Sequence, residues 1–175
     1  QDAIPQAIRP QGFYFRAYDL LAPPAFRRVL IIGAGTGSDV AIALARGAEH
    51  VDAVEIDPAL WAVGRQVHPD RPYDDPRVHV HIGDGRAFLR RATARYDLII
   101  FALTDSLTLT AHQSNLRLES FLFTEESIRE ARDRLSDNGL LVLYNYYRET
   151  WSVRRLAGMV EAAFGTPPYV AADGA

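Results

Sequence analysis

The sequence predicts an α/β fold: a mostly parallel sheet with helices on both faces. Three observations carry the prediction. Short runs rich in Val, Ile and Leu alternate five times with longer segments of helical spacing. The first run, "RRVLIIG" (27–33), opens into a loop with glycine at 33, 35 and 37. The second and third runs end in acids, within "VEIDP" and "IGDG", so polar chemistry collects where strands stop.

Taken in order, a helix around residues 12–21 is expected to lean on the sheet. Residues 27–33 form a buried strand ended by Gly33. "SDVAIALAR" (38–46) carries Val40, Ala41, Leu44 and Ala45 at helical spacing. "HVDAVEID" (50–57) is the second strand. Pro58 suits the first turn of the next helix, which runs to about Val67. "HPDRPYDDP" (68–76) is a Pro/Asp loop, "RVHVHIGDG" (77–85) a third strand, and "RAFLRRA" (86–92) a short helix. "YDLIIFAL" (96–103) is the fourth strand, followed by a long polar connection over 104–123. Thr124, with Ser127, caps a helix over 124–135; "DNG" (137–139) turns the chain; "LLVLYNYY" (140–147) is the fifth strand; a last helix covers about 151–164.

The totals bound the function. The 175 residues suit one domain over 1–175. Nineteen basic against 22 acidic residues leave a net charge of −3, which offers no electrostatic reason for nucleic acid or an anionic membrane as partner. Zero cysteines exclude disulfides, thiolate metal sites and Cys nucleophiles. Apolar runs such as Leu98–Leu103 fall far short of the roughly 20 residues of a membrane-spanning helix. The single methionine, Met159, implies that residue 1 is no natural start, so the chain reads as a domain excised from a longer protein. The segment in hand suggests a cytoplasmic location and leaves an anchor elsewhere in a parent protein open.

Gly33, Gly35 and Gly37 sit at a strand-to-helix turn, where glycine permits positive φ and close approach of a ligand. Eighteen residues beyond Gly37, Glu55 ends strand two, placed to accept two ribose hydroxyls. Asp84 follows strand three at the same edge, placed to accept from an exocyclic amine. A dinucleotide loop requires a third glycine where Ser38 stands.

With "VLIIGAGTGSDV", "VEIDP", "DPRVHVHIGDGRAFL" (75–89), "YDLIIFALTDS" (96–106) and "LFTEESIREARDRLSDNGLL" (122–141), the chain resembles the spermidine synthase branch of the class I S-adenosylmethionine-dependent methyltransferases over about residues 27–147. The resemblance implies a Rossmann-like sheet in the methyltransferase order; the family's fold adds two strands beyond the final helix, and this chain is read as ending where they should begin. It implies S-adenosylmethionine or its decarboxylated form as cofactor, lined by Gly33, Gly35 and Gly37, with Glu55 on the ribose, Asp84 on the adenine, and Ile56 and Ala87 as adenine walls. It implies transfer of an aminopropyl or methyl group to a small-molecule acceptor, a polyamine being one, with a homodimer as a candidate assembly. A small-molecule methyltransferase and a non-catalytic nucleoside-binding domain are the alternatives.

The sequence departs from that family where chemistry is expected. Its pattern has two aspartates three residues apart after strand four; here Ala102 takes the first position and Asp105 the second, which makes Asp105 the candidate catalytic residue. The small β-domain that precedes strand one in the family is not evident. In the polar loop, His112 is a second candidate base, weighed against a solvated histidine. Tyr144 and Tyr146 share one face of strand five and Asn145 and Tyr147 the other, with core packing the simpler reading of Tyr144. His79 and His81 lie i, i+2 on strand three without an evident carboxylate, so no metal site is expected. Arg86, Arg90, Arg91 and Arg95 read as a solvated face balanced by acids such as Asp74 and Asp75.

Overall fold

The computed structural model describes residues 12–19, 26–102, 122–144 and 150–171. Five strands, β1 (Arg28–Ile32), β2 (His50–Glu55), β3 (Val78–Ile82), β4 (Tyr96–Phe101) and β5 (Leu135–Leu143), form one sheet in the order β3-β2-β1-β4-β5. Every pairing is parallel. The order reverses beside β1, so the ends of β1 and β4 diverge there and open a crevice.

Alternation along the strands builds two apolar layers. Val29, Ile31, Val51, Ala53, Leu98, Ile100 and Ala102 face α2 (Ser38–Ala45), through Val40 and Ala43. Trp61 of α3 (Pro58–Val67) packs against the same layer. Leu30, Ile32, Val54, Ile99 and Phe101 face the other way, onto Leu89 of α4 (Gly85–Arg91) and Ala131 of α5 (Glu125–Arg132), with Phe164 of α6 (Thr150–Phe164) at the margin. Leu30, Ile31, Leu98 and Ile99 are fully buried, each contributing about 1.5–3 kcal/mol.

Helix starts follow the expected chemistry at three places. Asp57, Asp84 and Thr124 cap α3, α4 and α5, accepting from the backbone N–H of Ala59, Ala87 and Ser127. At α2 the cap position is Gly37, which has no side chain to offer.

Several boundaries differ from expectation: β2 ends at Glu55 rather than 57, β3 at Ile82 rather than 85 and β4 at Phe101 rather than 103. The segment over 12–21 divides into a 3₁₀ turn, Gly12–Phe15, and a four-residue helix, α1 (Arg16–Asp19). α5 stops at Arg132 rather than 135. β5 begins at Leu135, not 140, because the "DNG" turn lies inside the strand: Tyr96 pairs with Leu135 and Leu98 with Leu140, so β5 bulges between the two. Gly139 makes the bulge possible. A Cβ there would come within 2.8 Å of the Tyr96 carbonyl oxygen.

Candidate functional site

The glycine loop is held by its own hydrogen bonds. Gly33, Gly35 and Gly37 all take positive φ (82°, 54° and 101°), which side-chain-bearing residues adopt only at a cost. The N–H groups of Gly33 and Ala34 donate to the Val54 carbonyl, and that of Gly37 to Ala34. The Gly35 N–H donates to Glu55 Oε2 at 2.7 Å. From the other side the Tyr73 hydroxyl, buried under the loop, donates to the Gly35 carbonyl at 2.7 Å. Burial, and then the charges of Glu55 and Asp39, hold the Tyr73 phenol well above its ordinary pKa, so it remains a donor.

The three glycines therefore serve different ends. A Cβ on Gly37 would meet Pro72 Cγ at 2.8 Å and the Tyr73 ring at 3.0 Å, so this glycine answers to packing. A Cβ on Gly35 would meet nothing closer than Leu60 Cδ2 at 3.8 Å, leaving its Cα face open to a ligand. The sequence reading placed all three along the cofactor; their N–H groups are engaged within the fold, so any lining they provide is by backbone surface.

Glu55 joins the loop to the next helix. Its carboxylate, 5% exposed, accepts from Gly35 N–H and, through Oε1, from Asp57 N–H at 2.8 Å. A carboxylate has about four lone-pair directions, so two remain for hydroxyl donors. The Gly83 N–H donates to the Glu55 carbonyl at 2.9 Å, which fixes the turn carrying Asp84 beside β2. Glu55 and Asp84 thus share one rim, as the sequence reading requires. Asp84 spends Oδ1 on the α4 cap and is exposed, with lone pairs to spare. Ile56, 46% exposed, presents an apolar side chain next to Glu55, and Ala87 is half-buried in the first turn of α4. Asp105, together with Ser106, His112, Gln113 and Arg117 of the polar loop, and Asn145, Tyr146 and Tyr147 beyond β5, lies outside the described residues.

Two glycines to which the sequence reading gave no packing role set the shape of this rim. Gly64 lets α3 press against the backbone of Thr36, where a Cβ would fall 2.5 Å from its Cα. Gly85 lets α4 sit on β1, where a Cβ would fall 2.3 Å from Ile32 Cγ2. Gly64 lies inside a helical pattern and Gly85 was read as the end of strand three; only the neighbour's identity reveals the use of either.

On the face of the sheet that carries α4, a second polar group corrects the reading of His79 and His81. A carboxylate is present. Asp52 accepts from His81 Nε2 at 2.7 Å, His50 Nε2 at 2.9 Å and the Tyr96 hydroxyl at 2.9 Å, while His79 stacks on His50. An ionised carboxylate only accepts, so both histidines carry their proton on Nε2. Among the described residues no group of three or more His, Cys, Asp or Glu side chains is arranged to hold a metal ion. The arginine run is balanced differently from expectation: Arg86 and Arg90 pair with Glu130, and Arg95 donates to the Leu135 carbonyl. Asp74 and Asp75 pair instead with Arg65, Arg71 and Arg77.

A buried acid was missed altogether. Asp39, in the first turn of α2, is 5% exposed and accepts from the Tyr144 hydroxyl at the end of β5. Burial, only partly offset by that hydrogen bond, raises its pKa to about 7. Nothing in "GSDVAI" distinguishes it from a solvated acid at a helix start.

Comparison with known proteins agrees with this geometry. The spermine/spermidine synthase domain profile matches residues 18–164. A polyamine aminopropyltransferase 1 of Pseudomonas aeruginosa is 30% identical over 151 residues, covering 83% of this chain and 50% of the relative. A spermidine synthase 2 of Datura stramonium is 38% identical over 92 residues, covering 50% of this chain and 29% of the relative. Among solved structures, a spermidine synthase in complex with the transition-state analogue AdoDATO superposes with a TM-score of 0.66 at 25% identity, over 87% of this chain and 53% of the other. The chain spans half or less of the length of these curated relatives.

Proposed function

On the premise that this chain belongs to the spermine/spermidine synthase family, we propose that it transfers an aminopropyl group from decarboxylated S-adenosylmethionine to an amine acceptor of the polyamine class. The observation that carries the reading is the shared rim at the carboxyl ends of β1, β2 and β3: the Gly35 N–H donates to the Glu55 carboxylate, and the N–H of Gly83, next to Asp84, donates to the Glu55 carbonyl. The residues present fit an adenosine-type sulfonium. Glu55 keeps two lone-pair directions for the ribose hydroxyls, Asp84 stands near the adenine amine, and Ile56 and Ala87 flank the base. The open Cα face of Gly35 admits the aliphatic arm.

When bound, the sulfonium donor supplies a carbon made electrophilic by the adjacent positive sulfur. The protein's contribution is alignment of an acceptor nitrogen with that carbon and removal of the proton that blocks the nitrogen's lone pair. Asp105 is the proposed group for orienting the acceptor. Transfer of an aminopropyl group rather than a methyl group is favoured because the relatives matched are named for aminopropyl transfer.

The test is calorimetry with decarboxylated S-adenosylmethionine, S-adenosylmethionine and methylthioadenosine, followed by turnover on a panel of diamines and polyamines. Preference for the decarboxylated donor, with release of methylthioadenosine, is expected. Preference for the carboxylated donor with methyl transfer would overturn it. So would tight nucleoside binding with no turnover on any amine, the result a purely binding domain gives.

A further inference from the structure

The geometry points to Tyr144 and Asp39 as a proton relay that takes up the acceptor's proton, in place of the carboxylate that Ala102 does not supply. The inference rests on the proposed aminopropyl transfer and names residues for one step of it.

Placement carries the argument. Phe101 pairs with Leu143 across β4 and β5, and the Tyr144 N–H donates to the Phe101 carbonyl, so Tyr144 stands beside Ala102 at the end of the sheet. Both pack on the α2 face of the sheet. An acid was expected at Ala102; instead a methyl group, 1% exposed, occupies the position, and the neighbouring strand sends a phenol across the same face. The Tyr144 hydroxyl donates to Asp39 Oδ1 on α2, directly after the glycine loop. A carboxylate thus reaches the end of β4 through one tyrosine, coming from β1–α2 instead of from β4.

The surroundings fit a group that changes protonation. Asp39 accepts from Tyr144 and from its own backbone N–H, with no cation bonded to it among the described residues. Three further tyrosines and one arginine bear on the pair: Tyr14 edge-on to the Tyr144 ring at 5.6 Å, Tyr18 and Tyr73 whose phenols feel the Asp39 charge, and Arg46, which counteracts Asp39 at Tyr18. Among the described residues the buried Tyr18 hydroxyl has no hydrogen-bond partner. Burial brings the Asp39 pKa to about 7, where a carboxylate can both accept and release a proton near neutrality. An asparagine would fill the same space and accept the same hydrogen bond from Tyr144, but it could not take up a proton.

The step balances. The acceptor nitrogen forms a bond to the carbon beside sulfur as the carbon–sulfur bond breaks, and that bond's electron pair stays on sulfur. One proton leaves the nitrogen for the Tyr144 oxygen, and the Tyr144 proton passes to Asp39. Tyr144 is the group that meets the acceptor; Asp39 is a positioning residue that acts through it.

The experiment compares wild type, Asp39→Asn and Tyr144→Phe in the full-length protein. It measures kcat and KM across pH 5–9 and binding of methylthioadenosine. Both variants are expected to bind methylthioadenosine as wild type does, to lose about 10²–10⁴ in kcat, and to lose the rise in rate through an apparent pKa near 7. Asp39→Glu is expected to restore part of the rate. Unchanged kcat and an unchanged pH profile in folded Asp39→Asn would overturn the relay while leaving aminopropyl transfer standing. Absence of any turnover by wild type would overturn both.

Discussion

Replacement of Asp39 by Asn tests the buried acid through stability alone. The carboxyl has an ordinary pKa of 3.8 in the unfolded chain and about 7 in the fold, chiefly because burial disfavours its charge. Folding therefore favours the protonated form. Below the unfolded pKa both states are protonated and the acid carries no penalty. As pH rises from about 4 the unfolded chain ionises first, and stability falls until pH passes about 7. Three pKa units at 1.36 kcal/mol each make the full penalty about 4 kcal/mol. The dipole at the start of α2 favours a negative charge there and returns about 0.3–1 kcal/mol of it. Asn keeps an oxygen for the Tyr144 hydroxyl and has no charge to bury. Asp39→Asn should thus match wild type near pH 3, gain on it between about pH 4 and 7, and be more stable by about 3–4 kcal/mol at pH 8. For a domain of this size that is roughly 10 °C in melting temperature. Guanidinium titrations at pH 3.5, 5, 6.5 and 8 read the difference directly. A variant less stable than wild type at pH 8, or a difference that does not change with pH, would show that Asp39 is stabilised in its charged form and refute the reasoning.

Three further outcomes follow from the same structure. Glu55→Gln should weaken methylthioadenosine binding about tenfold to a hundredfold, the equivalent of one charged hydrogen bond, as read by calorimetry; unchanged affinity would remove Glu55 from the nucleoside site. Burial works against the Asp52 charge, but the donors His81, Tyr96 and His50 outweigh it and hold its pKa below the ordinary value. Its contribution is present above about pH 4 and lost as pH falls through that lowered pKa, and Asp52→Ala should cost about 1–3 kcal/mol at pH 7 by leaving the buried Tyr96 hydroxyl unpaired. Gly37→Ala should destabilise more than Gly47→Ala. Both take positive φ, costing about 1–2 kcal/mol, but a Cβ at 37 also strikes Pro72 and Tyr73, whereas one at 47 meets nothing within 4 Å; equal denaturant midpoints would contradict this.

Local pattern was enough to determine the five strands, the helices between them and the rim on which Gly35, Glu55 and Asp84 meet. A parallel sheet puts every carboxyl end on one side, so residues at strand ends become neighbours once the alternation is recognised. The cap at Thr124 was equally legible, since a cap acts within three residues of itself, whereas Asp57 was read as part of strand two and Asp84 as a ligand-binding acid, and the structure shows both capping helices. Tertiary structure alone decided which residues meet across the sheet. Tyr144 and Asp39 lie 105 positions apart and touch because β5 runs beside β4 and α2 covers the same face. Tyr96 and Asp52 are 44 apart and meet only because β1, one strand wide, separates β4 from β2. The "DNG" turn within β5 and the close contacts of Gly64 and Gly85 depend in the same way on a neighbour's backbone. Hydrogen-bond and packing partners of this kind are set by strand order and register, which hydrophobic period does not encode.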